Sequence, residues 1–302
     1  ACKNSAQSLC ERKGLPGKAS VARQLRCRVR FFSVGRILLA ITAAAALSLG
    51  QDVATNAAEA ASAMRAGRFA DAERLYTQLV RQEPKNPNWL ANLGLALHSR
   101  SRYAEAVDAL ERSLKIKPAA GLYAVLGIDY LKLDQPCKAI APLEQTDRTD
   151  ALADAFYACK RYPEAARLYL RLNDTRRAAR AWWQARDYAQ ARPLYEKLAL
   201  KHAGDAEFAW EFGDTLLRVE GAAQAIPWLE KATSLVEGRA ALGKAYAEAG
   251  RFADAVPLLE GAVQADPDLL LPLSRSYKET GRAAEADRAL SEYRRRQADR
   301  QN

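Results

Sequence analysis

A six-residue segment occurs twice without change in this chain of 302 residues. Residues 67–72 and residues 250–255 both read Gly-Arg-Phe-Ala-Asp-Ala. Looser copies, each closed by an Ala, lie at 102–106, 161–165, 187–191 and 281–286. A segment that recurs along a chain is typical of a stack of similar structural units, and it disfavours one globule around a single core.

Each copy closes on an Ala that is followed four residues later by a large apolar residue. A spacing of four places both side chains on one face of a helix. The small residue lets a neighbouring helix approach, and the large residue fills the space beside it. Successive Ala residues lie 26 to 34 residues apart, and the pairs are Ala72/Tyr76, Ala106/Leu110, Ala139/Leu143, Ala165/Tyr169, Ala191/Tyr195, Ala225/Leu229, Ala255/Leu259 and Ala286/Leu290.

A second amphipathic segment precedes each pair, and four of these segments share an interior Gly. A Gly inside a helix costs about 1 kcal/mol relative to Ala, so its recurrence at one position predicts a close approach of helices. Gly also occurs between the two segments, where it can close a helix in the left-handed conformation. The interior positions are Gly94, Gly127, Gly213 and Gly243, and the turn positions are Gly67, Gly221, Gly250 and Gly281.

The combined pattern resembles the tetratricopeptide repeat, which has Leu-Gly and an aromatic residue on its first helix, Ala and a large residue on its second helix, and then a Pro. The resemblance implies an all-α fold, a right-handed superhelical solenoid of about eight helix-turn-helix repeats. The third and fourth repeats are about eight residues shorter than the others, and we expect shortened helices in both. The repeats are predicted at 53–86, 87–119, 120–145, 146–171, 172–205, 206–235, 236–266 and 267–300, within a solenoid at 51–302.

The positive charge of the chain is concentrated at its N-terminus. The formal net charge is +10, but residues 1–50 hold nine Lys or Arg and one Glu, so the other 252 residues carry only +2. A nucleic-acid-binding function inferred from the overall basic character therefore loses its support, and we expect no nucleic acid partner.

The same N-terminal region has the order of a secretory signal. Arg residues precede a short apolar run at 37–49, and small residues at Ser48, near the end of that run, and at Gly50 offer a cleavage point before Gln51. Basic, then short apolar, then small residues is the arrangement of a signal peptide. We predict that residues 1–50 are a basic leader and signal peptide, and that the chain is exported to the periplasm or cell envelope. An uncleaved membrane anchor at 31–49 is the alternative, although a spanning helix needs about 20 residues.

Two of the five Cys residues, Cys137 and Cys159, fall within the repeats. Cys137 should open the second helix of one repeat, and Cys159 should close the first helix of the next. An exported protein meets an oxidising compartment, so a disulfide between them is one hypothesis. The other hypothesis is two unpaired, buried thiols, which we favour from sequence because a bridge requires Cα atoms closer than about 7 Å.

Members of the tetratricopeptide-repeat family bind partners in a concave groove lined by their first helices. Transfer of the family register predicts that groove residues are Ile128, Leu131, Asp150, Asp154, Tyr157, Arg176, Arg180, Trp183, Trp210 and Asp214. Trp183, with Arg180 one turn and Arg176 two turns before it, could hold an acidic peptide or stack a cation or a sugar ring. Alternatively, Trp183 packs on a neighbouring first helix, and the two Arg residues are solvated or paired with Asp150 and Asp154.

The sequence lacks the residue patterns of an enzyme. His98 and His202 are the two histidines, neither at a zinc-like spacing from other ligands, and no phosphate-binding loop or nucleophile elbow occurs. We expect no catalytic residue, metal or cofactor. The prediction is a non-catalytic scaffold or adaptor of the cell envelope that binds a protein or peptide partner in its groove. The alternative is an assembly subunit for cell-envelope biogenesis that recognises glycan or peptide. The Lys residues of the family's clamp for chaperone tails are missing, so we reject that partner.

Overall fold

The computed structural model describes residues 52–300, and these residues fold into sixteen α-helices without a strand. The all-α fold predicted from the sequence is therefore confirmed. Two short 3₁₀ turns lie at Glu230–Ala232 and Pro267–Leu269. In chain order the helices are α1 (52–65), α2 (Phe69–Gln82), α3 (Pro87–Ser99), α4 (Tyr103–Ile116), α5 (Ala120–Lys132), α6 (Pro136–Leu143), α7 (Thr149–Ala158), α8 (Tyr162–Arg171), α9 (Thr175–Gln184), α10 (Tyr188–Leu198), α11 (Ala206–Val219), α12 (Ala222–Leu229), α13 (Val236–Glu248), α14 (Phe252–Ala262), α15 (Leu270–Glu279) and α16 (Ala283–Asp299).

The chain divides between Arg100 and Ser101 into two compact parts. In the first part, α2 packs on α3 around a core that includes Tyr76 and Leu79. In the second part, every helix from α4 to α16 contacts the next helix along the chain, and one continuous core follows them. This arrangement is the helical repeat solenoid that the periodicity predicts, because each helix is buried by its neighbours rather than by a central core.

The duplicated hexapeptide builds the turn between the first and second helix of a repeat. In the second copy, Gly250 has a φ of 77°, and the amide of Arg251 donates to the carbonyl of Tyr246 across 2.8 Å. This is the bonding of a Schellman helix end. The guanidinium of Arg251 also lies 4.0 Å from the ring centroid of Tyr246, and its Nε donates to Asp254 across 2.8 Å. One Arg thus joins the end of α13 to the start of α14.

The same contacts occur where the copies are looser. Arg161 lies 4.5 Å from the ring centroid of Phe156 and donates to Glu164 across 2.9 Å. Arg282 stacks on the ring of Tyr277 at 4.3 Å and pairs with Glu285. The acid that recurs three residues after the Arg in these segments therefore reflects a turn that the chain builds several times from the same interactions.

A residue with positive φ lies at each of the eight turns that the pattern places between a first and a second helix. Gly67, Gly221, Gly250 and Gly281 have φ values from 72° to 94°, which confirms the predicted left-handed Gly turns. The other four turns use residues other than Gly, and so does the turn between α8 and α9. A side chain in this region costs roughly 1–2 kcal/mol, so these turns carry strain that Gly avoids. The five residues are Ser101, Asp134, Lys160, Asn173 and Arg186.

Three of the interior Gly residues, Gly127, Gly213 and Gly243, face the large residue of the second helix, as their recurrence predicts. A Cβ placed on Gly127 would lie 2.5 Å from Cγ of Leu143, and one placed on Gly213 would lie 2.6 Å from Cγ of Leu229. Both Leu side chains are fully buried. The absent Cβ therefore provides the space that the Leu side chain fills, which explains why Gly is retained despite its cost in a helix.

The shortening of the third and fourth repeats falls on three helices. Helices α6, α7 and α8 have 8, 10 and 10 residues, whereas α5 has 13. The prediction of shortened helices is thus wrong for α5. Asn173 adopts a left-handed conformation in the short turn between α8 and α9, so a longer connecting loop is unnecessary there. The short interval between repeats arises from tight turns as well as from short helices.

A disulfide joins these two short repeats. Cys137 is the second residue of α6, and Cys159 directly follows α7. Their sulfur atoms are bonded to each other, and their Cα atoms lie 5.1 Å apart. The structure therefore contains the bridge rather than the two unpaired thiols that we favoured from sequence. The bridge links the second helix of the third repeat to the first helix of the fourth.

The predicted leader at 1–50 and the alternative anchor at 31–49 lie outside the described residues. Within 52–300, no helix has both the length and the apolar character that a bilayer-crossing segment requires.

Candidate functional site

Five of the sequence-predicted residues form a connected surface on the first helices α7, α9 and α11. We call this surface the first-helix face, and its members are Tyr157, Arg180, Trp183, Trp210 and Asp214. Helix α9 contacts α11, and α11 contacts α13, so the first helices of the fifth, sixth and seventh repeats are direct neighbours. Side chains from different repeats therefore meet on this face.

A buried carboxylate on α11 compensates both Arg residues of the predicted site. Glu211 is fully buried. Arg176 donates through Nη1 to Glu211, and Nε of Arg180 lies 3.1 Å from Oε1 of Glu211. The hydroxyl of Tyr195 donates to the same carboxylate across 3.0 Å, and Arg180 also pairs with Glu207. The sequence suggests that the charges of Arg176 and Arg180 are available to a partner. In the structure, these charges are largely paired with acids, and they hold α9, α10 and α11 together.

The environment of Glu211 perturbs its ionisation. Burial raises the pKa of the Glu211 carboxyl, and Arg176 and Arg180 offset part of that rise. Burial also raises the pKa of the Tyr195 phenol, and the charge of Glu211 adds to this rise. Removing one partner of a buried ion pair leaves an uncompensated charge and costs about 3–5 kcal/mol. We therefore interpret Glu211 as a residue that positions Arg180 on the face.

Two indoles lie at the centre of the first-helix face. The ring centroids of Trp183 on α9 and Trp210 on α11 are 4.9 Å apart, with the ring planes at 77°. Nε1 of Trp183 donates to Oδ2 of Asp214 across 2.8 Å, and Asp214 also lies 3.6 Å from Nε of Arg218. Both Trp residues are partly exposed. Trp183 thus packs on a neighbouring first helix, as one of the two sequence alternatives proposed, while the aromatic pair still reaches solvent.

Of the residues predicted on α7, Tyr157 approaches Arg180, whereas Asp150 and Asp154 make separate contacts. Tyr157 is half-buried, and its ring centroid lies 5.3 Å from that of Tyr162. Burial raises the pKa of the Tyr157 phenol, and Arg180 lies close enough to lower it in part. Asp154 accepts from Tyr169 across 2.8 Å and from Arg177 across 2.8 Å, while Asp150 pairs with Arg148. The predicted pairing of Asp150 and Asp154 with Arg176 and Arg180 is therefore wrong, because acids of α11 reach those Arg residues instead.

Ile128 and Leu131 lie apart from this cluster. Both residues are on α5, two first helices before α9, and both are partly exposed. Leu131 packs against the core of the second part. The structure therefore does not bring them into contact with the Trp pair.

A cavity of about 250 Å³ opens beside Trp210, between α11 and α13. Its apolar walls come from the indole of Trp210 and from small side chains of α13 and α14. Three carboxylates and one ammonium group supply its polar lining. The lining residues are Trp210, Asp214, Val236, Glu237, Ala240, Ala241, Lys244, Ala262, Ala265 and Asp266.

Sequence reasoning missed the acids that complete this site. Glu211 lies within the apolar segment Phe208–Phe212, and helical spacing places it on the same stripe as Phe208 and Thr215, which are buried. A charge inside a buried stripe was therefore a usable signal. Its partner Arg176 is 35 residues away in the chain, so only the packing of α9 on α11 reveals the pair.

Comparison with known proteins identifies the repeat. Two family models, both described as the tetratricopeptide repeat, match residues 57–121 and residues 246–302. The chain is a tetratricopeptide-repeat protein. Comparison with curated protein sequences gives no significant match.

Solved structures of other tetratricopeptide-repeat proteins are similar only in a general way. A tetratricopeptide repeat protein of Parabacteroides merdae is 15% identical, with 75% of this chain and 99% of that chain covered and a TM-score of 0.41. A repeat protein of Cytophaga hutchinsonii is 15% identical, with 69% and 95% covered and a TM-score of 0.46. The TPR2AB domain of yeast Sti1, solved in complex with pHSP90, is 19% identical, with 79% and 99% covered and a TM-score of 0.34.

Tetratricopeptide repeats are in general protein–protein interaction modules, so the family supports a role as a binding scaffold. In this tetratricopeptide-repeat protein, the first-helix face combines a central aromatic pair, an Arg held by buried and exposed acids, and an adjoining cavity. Such a face can bind a side chain or a ring, and it contains no nucleophile activated by a base among the residues that define it.

Proposed function

We propose that this tetratricopeptide-repeat protein is an exported, non-catalytic adaptor of the cell envelope that binds a protein or peptide partner on the first-helix face. The observation that carries the proposal is the Trp183–Trp210 pair, whose ring centroids are 4.9 Å apart and which lies between Arg180 and an open cavity. Partly exposed Trp and Arg residues are enriched among the residues that dominate binding energy at protein interfaces.

The rigidity of the face supports this proposal. Asp214 fixes the indole of Trp183, and Glu207 and Glu211 fix the guanidinium of Arg180. Side chains that are already held in place lose less rotamer freedom when a partner binds. A preorganised aromatic pair is therefore a suitable anchor for a partner, whereas mobile side chains would bind at a greater entropic cost.

The disulfide supports the proposed location. Disulfides persist in oxidising compartments outside the cytosol. Cys137, one member of the bridge with Cys159, is solvent-exposed in the structure, so reducing agents would reach it. The predicted leader, with its basic and then apolar residues, supports export to the same kind of compartment. The cell-envelope assignment rests on these two features together.

Affinity capture from an envelope extract tests the proposal. We expect one or more proteins to bind the chain and to be lost when Trp183 and Trp210 are both replaced by Ala. The matched control is Trp228→Ala, which removes an indole on α12 that is not a member of the first-helix face. Its ring centroid lies 4.9 Å from that of Phe212, with the ring planes at 55°. A partner that is lost equally in all variants, or retained when both Trp residues are absent, would contradict the assignment of the face. Thermal unfolding of each variant checks that it is folded.

The alternative function predicted from sequence, recognition of glycan or peptide in envelope assembly, uses the same two indoles. An indole next to a carboxylate such as Asp214 can stack a sugar ring and accept its hydroxyl hydrogen bonds. Titration with cell-wall fragments, followed by Trp fluorescence, distinguishes the two functions. Saturable quenching that requires Trp210, with no captured protein, would favour the glycan-binding alternative over the adaptor.

A further inference from the structure

The cavity beside Trp210 has a lining that specifies a ligand more narrowly than the rest of the first-helix face. It is bounded by α11, α13 and the segment after α14, and its volume is about 250 Å³. This volume is below the roughly 300–1,000 Å³ of sites for drug-sized molecules. The cavity is thus sized for one side chain rather than for a cofactor.

The lining carries a net negative charge. Asp214, Glu237 and Asp266 contribute three carboxylates, and Lys244 contributes one ammonium group. The Nζ of Lys244 lies 3.2 Å from Oδ2 of Asp266, so the single cation is already held by one of the acids. Within 52–300, Glu237 has no ion-pair partner, and it is exposed at the first turn of α13. An anion entering the cavity would be repelled by Glu237 and by Asp214, which Arg218 compensates only in part at 3.6 Å. A cation would be attracted by the same two carboxylates.

The walls suit a long aliphatic stem that ends in a charge. Val236, Ala240 and Ala262 provide apolar surface, and the indole of Trp210 provides an aromatic wall. Lys and Arg side chains bury their methylene stems on apolar surface while their charged ends seek carboxylates or water. A cation near an indole gains further attraction, and Trp is the most favourable aromatic partner.

We infer that this cavity receives a Lys or Arg side chain of the partner, with its stem against Trp210 and its charge between Asp214 and Glu237. The inference rests on the proposed function, since it names the chemistry of the partner at that site. It also reverses one expectation from the sequence, in which Arg176 and Arg180 attract an acidic peptide. Those Arg residues are compensated by Glu207 and Glu211, while Glu237 is not compensated.

A fragment titration of the full chain tests the inference without knowledge of the partner. The probes are N-acetyl-arginine amide, N-acetyl-norleucine amide and N-acetyl-glutamate amide, which share a backbone and differ in side-chain charge. The readout is the indole N–H resonance of Trp210 in a nitrogen-15 NMR spectrum, assigned by its loss in Trp210→Phe. We expect a saturable shift with the arginine probe and a Kd on the order of 1 mM, as is usual for ligands of this size. The shift should be smaller and non-saturating with the other two probes.

Two variants with opposite effects show whether charge is the cause. Glu237→Gln should weaken binding of the arginine probe about two- to five-fold, as expected for one exposed charge, and Lys244→Met should strengthen it because Asp266 becomes available. If Lys244→Met does not fold, Glu237→Lys tests the role of charge instead, because Glu237 is exposed and its replacement should not disturb folding. Glu237→Lys should abolish the shift of the Trp210 resonance with the arginine probe. Equal binding of the norleucine probe, preference for the glutamate probe, or the absence of a saturable shift with the arginine probe would each overturn the inference.

The failure of this inference and the failure of the proposed function give different results. If a partner is captured through Trp183 and Trp210 but Glu237→Lys leaves its affinity unchanged, the inference is overturned and the proposed function stands. If the arginine probe binds as expected but no protein is captured, the cavity is a cation site, and the adaptor function is overturned.

Discussion

Gly238 offers the most direct test of how one repeat packs on the next. It is buried in the first turn of α13 and faces Ala232, at the end of the 3₁₀ turn that follows α12. A Cβ placed on Gly238 would lie 2.1 Å from the carbonyl oxygen of Ala232 and 2.8 Å from its carbonyl carbon and its Cβ. The two closest of these atoms belong to the backbone, so no change of rotamer relieves the clash. Gly238→Ala must therefore push α13 away from the preceding repeat by about 1 Å.

The magnitude follows from a comparison with a second Gly. Replacing a helical Gly by Ala gains up to about 1 kcal/mol from helix propensity. A Cβ on Gly261, in α14, would meet nothing within 4 Å, so Gly261→Ala keeps this gain without overpacking. Overpacking of a close-packed contact costs about 1–3 kcal/mol, and a backbone clash belongs at the upper end. The free energies of unfolding of the two variants should therefore differ by about 3 kcal/mol. For the second part of the chain, which contains both Gly residues, this corresponds to roughly 6–12 °C in melting temperature.

Urea and thermal unfolding, followed by circular dichroism and Trp fluorescence, measure this difference. We expect Gly238→Ala to unfold earlier than the wild type and Gly261→Ala to unfold at the same point or slightly later. Equal stability of Gly238→Ala and Gly261→Ala would refute the argument, because it would mean that α13 does not approach the end of α12 as closely as the structure shows.

Three further predictions concern the bridge, the buried carboxylate and the binding face. A non-reduced proteolytic digest should contain a peptide with Cys137 joined to Cys159, and replacing both residues by Ser should cost about 2–4 kcal/mol; alkylation of both thiols without reduction would count against the bridge. Burial raises the pKa of Glu211 above its ordinary value of 4.5, so the stability of the wild type relative to Glu211→Gln should be greatest below pH 4.5 and should fall as the pH rises through the folded-state pKa; a relative stability that instead rises with pH would contradict this sign. Partner binding should weaken between about 0.05 and 0.5 M salt as charges on the face are screened, and binding insensitive to salt would move the site towards Ile128 and Leu131.

Local sequence patterns were sufficient for the repeat architecture because the relevant interactions are local. The turn at Gly250 and Arg251 could be recognised, since the left-handed residue and the acid Asp254 lie within one short segment. The facing of Gly213 and Leu229 followed from spacing on two adjacent helices. The left-handed turns at Lys160 and Arg186 could not be predicted, because tertiary packing rather than residue preference places those residues there.

The candidate site could be predicted only in part. Trp183 and Trp210 were named from the repeat register, but their contact depends on the spacing of α9 and α11 in three dimensions. The acids that compensate Arg180 lie 27 and 31 residues further along the chain, at Glu207 and Glu211, and no local pattern links them to it. Glu237 and Lys244 become neighbours of Trp210 only because α13 packs on α11. Charge pairing between repeats thus has to be read from the packed helices.

The binding affinity of the captured partner for single Trp variants tests the central claim most directly. Isothermal titration of the purified partner with the wild type, Trp210→Ala and Trp228→Ala compares an indole on the first-helix face with a matched indole on α12. Loss of an interface residue that dominates binding costs about 2 kcal/mol or more, so Trp210→Ala should weaken binding at least about thirty-fold, while Trp228→Ala should change it less than about three-fold. Unchanged affinity in a folded Trp210→Ala, or a larger loss in Trp228→Ala, would contradict a binding site on the first-helix face.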